Sequence, residues 1–368
     1  MTKLLSSGEL SGFLASPGLP NLGGKYVQEL EKKWSEFVGV PYSVTFNSWT
    51  SGLEASVAAL ELEPGSEVIV TPWTMSATVA AIVNNNLVPV FADIDSFSFN
   101  ISIDFVKSLI NQKTSAIMAV DIFGKPCDFK SLSELARNKN LRLIIDCAQA
   151  PGASYMNRKS AEFADIAGYS FNRHKHLQCG EGGIAVTNNP KYLEKLRLFR
   201  NHSEVSSIDI TNKIRGHNMR FGEIESVLIL GQIKRADELL NHRREAAKKL
   251  IYALSDFEHI KTPELLENEI QDFYIVGLIL DKVASRYRNE LVDDLTKKGF
   301  PGALKGYVNA HKLPQYLPYT REKLEIAEDL HNSTFFGIYM CGVTWTDNLI
   351  EKYAASIKQT LSRIIYGS

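Results

Sequence analysis

The chain has 368 residues, 44% hydrophobic and 23% charged, and its 41 Lys+Arg against 42 Asp+Glu leave a net charge of -1. That length exceeds what one small core fills and suits two domains, while the balanced charge offers no basic field for nucleic acid and points to a small-molecule partner. The four cysteines, Cys127, Cys147, Cys179 and Cys341, are scattered without a Cys-x-x-Cys pair, so no zinc ribbon or disulfide framework is indicated and a reducing cytoplasm fits.

The N-terminal stretch MTKLLSSGELSGFL has no unbroken apolar run, and no later segment approaches the roughly 18 apolar residues of a spanning helix. Neither export nor a membrane is expected. From there YVQELEKKWSEFVG has helical spacing and precedes the β-branched run YSVTF. A patterned stretch from Ser51 to Leu62 leads to EVIV, and VPVFADI leads to a helix near Ile103 to Ile110. SAIMAVDIF, a helix around Leu132 to Asn138, LRLIIDCAQ, IAGYSF and GGIAVTN follow. Strands separated by helices need crossover connections, which predicts an α/β fold with a mostly parallel sheet and helices on both faces. One long helix is predicted from about Glu223 to Leu254. Beyond it DFYIVGLIL reads as a strand and NLIEKYAASIKQTLSRII as a terminal amphipathic helix, so a large domain over 1–245 is followed by a smaller α+β C-terminal domain over 246–368.

In open α/β sheets ligands bind beyond the carboxyl ends of the strands. Three groups of polar residues fall there. In SFNRHKHLQCGEGGIAVTNN, Lys175 follows a strand end and precedes a Gly-Glu-Gly-Gly turn able to bring backbone close to a ligand. Read alone, Lys175 is better described as a surface lysine, and His174 and His176 as solvated or supporting residues, since no carboxylate stands beside them to complete a metal site. Asp146 ends the apolar run LRLII, where a carboxylate is costly unless it meets a cation or hydrogen bonds; it is either a cap or internal ion pair, or the partner of a pyridinium nitrogen. Thr50 and Ser51, in the turn NSWTSG ahead of a helix, could cap that helix or offer its N-terminus to a phosphate. Together, a phosphate cradle, a carboxylate for a ring nitrogen and a lysine 29 residues later (175 − 146) describe a pyridoxal 5′-phosphate (PLP) site.

The same residues carry a family resemblance. From about Gly23 to the C-terminus, and most strongly from Asn47 to Asn189, the chain resembles the DegT/DnrJ/EryC1/StrS sugar aminotransferases, a branch of the fold-type I PLP enzymes. The resemblance implies that Lys175 is the Schiff-base lysine and that Asp146 and Gln149, in IIDCAQAPGA, contact the ring nitrogen and ring oxygen. It implies further that Thr50, Ser51 and Ser170 bind the phosphate, and that Asn218, in GHNMRFGEIES, reaches the phosphate of a neighbouring subunit, hence a homodimer with shared active sites. Met75 stands where the family usually stacks an aromatic residue on the ring, with Trp73 two residues earlier. Asp121 stands where many members carry histidine.

What this implies chemically is transamination from an amino acid, expected to be L-glutamate, to a keto-sugar, expected to be nucleotide-linked, for lipopolysaccharide or unusual-sugar biosynthesis in the cytoplasm. Arg200, Arg215 and Arg220 are candidates to pair with a donor carboxylate. Tyr307, His311 and Tyr316 are candidates for the acceptor pocket. Three alternatives stand beside this reading: a PLP-dependent sugar dehydratase of the same family, a non-catalytic phosphate-binding protein, and a metal-dependent hydrolase using His174 and His176. Retention of Lys175 argues against the dehydratase group that carries histidine there.

Overall fold

The computed structural model describes residues 1–14, 19–203 and 214–367. In chain order its strands are β1 (Tyr42–Phe46), β2 (Glu67–Val70), β3 (Val88–Phe91), β4 (Thr114–Val120), β5 (Arg142–Asp146), β6 (Ser154–Tyr155), β7 (Ile166–Ser170), β8 (Gly183–Thr187), β9 (Ile260–Lys261), β10 (Glu269–Ile270), β11 (Ile275–Leu280), β12 (Ala303–Leu304) and β13 (Phe335–Tyr339). The α-helices are α1 (Thr2–Ser7), α2 (Lys25–Val38), α3 (Trp49–Ala59), α4 (Ser76–Asn84), α5 (Ile103–Leu109), α6 (Phe129–Asn138), α7 (Pro190–Arg200), α8 (Glu223–Ile233), α9 (Ala236–Leu254), α10 (Arg288–Lys297), α11 (Glu325–Asp329) and α12 (Asp347–Tyr366).

Seven strands make one sheet in the order β1-β8-β7-β5-β4-β2-β3. The pairs from β7 to β3 are parallel, and β8 runs antiparallel to both of its neighbours. Successive side chains of a strand point to opposite faces, so an apolar run here serves two cores at once. In β2, Val68 and Val70 face one cluster with Leu53 of α3 and Val79 of α4, while Ile69 faces another with Trp34 of α2 and Leu132 of α6. The same division separates Ile144 from Ile145 in β5.

A second, antiparallel sheet has the order β12-β13-β11-β9. One of its faces, with Val276, Leu278 and Ile338, packs against Leu250 of α9 and Ile357 of α12. From the other face Ile275 and Phe335 enter the core of the large sheet. The two sheets therefore meet through side chains in van der Waals contact, at an aromatic cluster in which Phe335 lies 5.0 Å from Trp73 and 5.4 Å from Phe123 between ring centroids.

The single helix expected from Glu223 to Leu254 is two helices. Arg235 leaves helical geometry at φ −118° and ψ 16° and restarts the chain as the N-cap of α9. Ile229 and Leu230 of α8 and Ala236 and Leu240 of α9 belong to the core behind the large sheet, and α9 passes from there to the core of the small one at Ala246, Leu250, Ile251 and Leu254. α3 also starts earlier than its apolar spacing suggests, at Trp49, because the Ser48 hydroxyl accepts the N–H of Ser51 at 3.1 Å and caps the helix.

Arg200 is a structural residue. Its guanidinium is fully buried, donates to Glu31 Oε1 at 2.5 Å and to the Thr45 carbonyl at 3.3 Å, and lies 4.7 Å from the Phe13 ring. It cannot meet a substrate carboxylate. Removing one partner of a buried ion pair leaves the other uncompensated, so Arg200→Ala is expected to lower unfolding free energy by about 3–5 kcal/mol in urea titrations.

Candidate active site

Where β5 and β7 end and α3 and α4 begin, the large sheet opens into a cavity of about 460 Å³. Thr50 and Trp49 border it from α3, Met75 and Thr78 from α4, Asp146 and Gln149 from the turn after β5, and Ser170 and Lys175 from the turn after β7. Tyr274, Tyr307 and Tyr339 close it from the side of the small sheet. Of the residues expected to hold a cofactor, Thr50, Met75, Asp146, Gln149, Ser170 and Lys175 thus converge. Ser51 stands one step back, its hydroxyl 2.9 Å from that of Ser48. Asn218 is exposed at a backbone bridge to Asn201, outside the cavity of its own chain.

Asp146 is buried, and three elements supply its donors. The Trp49 indole Nε1 donates to Oδ1 at 2.8 Å, the Ala148 N–H to Oδ1 at 3.0 Å and the Thr78 hydroxyl to Oδ2 at 3.0 Å. Burial pushes the carboxyl above its usual range, and these donors together with the nearby Lys175 charge oppose that push. For Lys175 burial acts in the opposite direction, lowering the amine below the ordinary lysine value against the pull of Asp146. Its Nζ rests 4.5 Å from the centroid of the Tyr274 ring, a contact that holds the amine by its charge without neutralising it.

Gln149 is clamped. Its Oε1 accepts the Phe123 N–H at 2.7 Å, which fixes the other end of the amide as the donor, and Nε2 donates to the Tyr307 hydroxyl at 3.1 Å. Phe123 takes a positive φ of 58° to aim that N–H. At the start of α3 the N–H groups of Trp49 and Thr50 have no intrahelical acceptor, as at any helix N-terminus, so they and the Thr50 side chain are available to an anion. An anion site, a paired carboxylate and an amine with a lowered pKa around one cavity fit the phosphate, the ring nitrogen and the aldehyde of PLP.

Several expectations need correction. Trp73 is buried among aromatic rings and donates Nε1 to Asn309 at 2.7 Å, so only Met75, 64% exposed at the cavity edge, is left of that pair to cover a ring. His311 is buried 3.3 Å from Glu328, and the Tyr316 hydroxyl donates to the Ser76 carbonyl at 3.0 Å; of the three acceptor-pocket candidates Tyr307 alone borders the cavity. Arg220 is engaged by Asn201 at 2.7 Å, and Arg215 is exposed away from the site. Asp121 also lies outside the cavity, where it accepts the Cys127 N–H at 2.9 Å and the Ser160 hydroxyl at 3.0 Å. His176 is buried with Nε2 at 2.9 Å from the Asp272 carbonyl and is pushed down to about 4 by burial, while His174 stays at the exposed cavity edge. The two histidines have different partners, and among the described residues no three His, Cys, Asp or Glu side chains could hold a metal.

Trp49, Thr78, Tyr274 and Tyr339 were not singled out from the sequence. The signal that could have found Trp49 is a set of glycines: a Cβ on Gly168 would fall 2.0 Å from its Cη2, one on Gly52 2.5 Å from its Cε3 and one on Gly183 2.5 Å from its Cα.

The model of the DegT/DnrJ/EryC1/StrS aminotransferase family matches residues 12–337. The chain belongs to that family. It is similar to the GDP-perosamine synthase of Vibrio cholerae, 30% identical over 298 residues that cover 80% of this chain and 79% of the relative. A dTDP-3-amino-3,6-dideoxy-alpha-D-galactopyranose transaminase of Aneurinibacillus thermoaerophilus is 29% identical over 312 residues, 84% of each. Among solved structures, Helicobacter pylori PseC, an aminotransferase involved in the biosynthesis of pseudoaminic acid, superposes with a TM-score of 0.87 at 27% identity, covering 98% of this chain and 95% of that one. The fold is accordingly the fold-type I PLP-transferase fold, and the family's chemistry is PLP-dependent amino transfer.

Two outcomes test the local geometry. Gly168→Ala forces a methyl into the Trp49 ring and is expected to cost at least about 1–3 kcal/mol of stability, read by chemical denaturation. Asp121 is pushed up to about 6 by burial. A carboxyl raised in the folded state stabilises the fold while protonated, and that contribution is lost as pH rises from about 4 through about 6. Asp121→Asn, which cannot ionise, is therefore expected to gain on the natural protein by up to about 3 kcal/mol over that interval in parallel urea titrations at pH 4 and pH 7.

Proposed function

We propose that this aminotransferase moves the amino group of an amino acid, L-glutamate by expectation, to a keto-sugar carried on a nucleotide. The observation that carries the reading is the Lys175 amine, held over Tyr274 inside the cavity that Asp146 borders, with its pKa lowered by burial. An amine with a lowered pKa is neutral in a larger fraction near pH 7 than an ordinary lysine and is the better nucleophile and base. The relatives carry the names of GDP- and dTDP-linked amino sugars, which supports the acceptor class.

Once bound, PLP supplies an electron sink and carries nitrogen between the two half-reactions. In this reading Lys175 Nζ would hold the cofactor covalently and, once freed by the incoming amine, would take up and return the proton that moves in the 1,3-shift of amino transfer. Asp146 holds the ring nitrogen as N–H. Thr50, Ser51 and Ser170 hold the phosphate, and Gln149 turns its amide N–H toward the ring oxygen. Met75 covers the exposed ring face through its polarizable thioether. Asn218, exposed and outside its own cavity, reaches the phosphate of a second copy in a homodimer with shared sites. A division near residue 245 separates the part that holds the cofactor from the smaller part that brings the tyrosine wall. The setting is cytoplasmic synthesis of surface or unusual sugars.

Purified protein is expected to be yellow, and borohydride is expected to fix the cofactor on Lys175, identified by peptide mass. Lys175→Ala should bind PLP without that attachment and lose at least about 10⁴-fold in rate, the upper range for one acid–base group. Colourless protein that takes up no added PLP would refute the reading. For the acceptor, a panel of nucleotide-linked keto-sugars with glutamate decides: amination of a different ketone or aldehyde, and of no sugar nucleotide, leaves the chemistry and removes the substrate class.

A further inference from the structure

A carboxylate offers about four lone-pair positions, and the fold fills three of those on Asp146. Oδ1 is used twice, by the Trp49 indole and the Ala148 N–H, and Oδ2 once, by the Thr78 hydroxyl. The remaining position belongs to Oδ2, on a residue that borders the cavity. We infer that Trp49 is a positioning residue: its indole N–H, donated to Oδ1, fixes the carboxylate so that Oδ2 is the oxygen offered to a protonated ring nitrogen, an inference that rests on the function proposed above.

Packing alone does not explain a tryptophan at this position. Room for its indole requires glycine at two places, one in α3 and one in β7, because a Cβ on Gly52 or Gly168 would come 2.5 or 2.0 Å from the ring. Glycine inside helices and strands weakens them. A smaller side chain at 49 would remove the contact with Gly52, but it would carry no N–H. The indole is a donor only, so it can serve Asp146 in the ionised form and cannot turn round to accept from the protonated form. Trp49 is also the first residue of α3, whose N-terminus borders the same cavity. One residue therefore ties the anion-binding end of the site to the carboxylate end, across 97 positions of sequence.

Two replacements separate the N–H from the shape: Trp49→Phe, and replacement of Trp49 by 3-benzothienylalanine, which keeps the bicyclic outline with sulfur in place of N–H. Each apoprotein would be titrated with PLP by equilibrium dialysis and by visible absorption across pH, alone and combined with Asp146→Asn. Loss of one hydrogen bond to a charged group is expected to weaken PLP binding about tenfold or more and to move the titration midpoint of the bound cofactor's visible band by about one pH unit. In protein already carrying Asp146→Asn, neither replacement should weaken binding further. An equal loss in both backgrounds, or an isostere that matches the natural protein in affinity and midpoint, overturns the inference; the isostere decides if Trp49→Phe fails to fold. Natural protein that takes up no PLP overturns the function and the inference together, whereas natural protein that binds PLP as tightly as the isostere overturns the inference alone.

Discussion

Burying a carboxylate costs several kcal/mol unless its oxygens are satisfied, and Asp146 is buried at the wall of the cavity. The fold meets the cost with donors from three separate places: the first residue of α3, the first turn of α4 and the backbone two residues beyond Asp146 itself. None of the three is local to β5 except the last. The strand order that sets β5 beside β4 and β7, with α3 and α4 over its end, is what brings them within 3 Å of one residue.

The small sheet completes the site from the opposite side. Tyr274 precedes β11 and lies under the Lys175 amine, and Tyr339 ends β13 with its ring 5.3 Å from that of Tyr274. Tyr307 orients Gln149 and packs edge-on against Phe123 at 4.9 Å. This wall is apolar apart from its hydroxyls, which lowers the local dielectric around Lys175 and makes its neutral form accessible. Catalytic competence thus depends on the junction between the sheets as much as on the large sheet itself.

Much of this was legible in the sequence. The apolar runs EVIV, LRLII and IAGYS gave β2, β5 and β7 because strands covered on both faces are continuously hydrophobic, and polar residues after them border one cavity. What escaped was of two kinds. The break between α8 and α9 lies in IKRADEL, all residues that a helix tolerates, so the local sequence carries no sign of it. Trp49, Thr78 and Tyr274 escaped because their roles are set by contacts across long stretches of chain, which periodicity does not report. Arg200 and His311 failed as substrate contacts for the same reason: each is buried against a carboxylate, Glu31 or Glu328, that the sequence gives no means of pairing with it.

The slot that receives the Trp49 ring ties positions 49, 52 and 168 together. A methyl at Gly52 or Gly168 collides with the indole, and loss of the indole alone leaves a void beside those two glycines, which have no side chain to fill it. Single steps away from this arrangement are penalised in either direction. Descent with change at positions 49 and 52 should therefore run in concert, tryptophan surviving where Gly52 does and a side chain at 52 going with a smaller residue at 49.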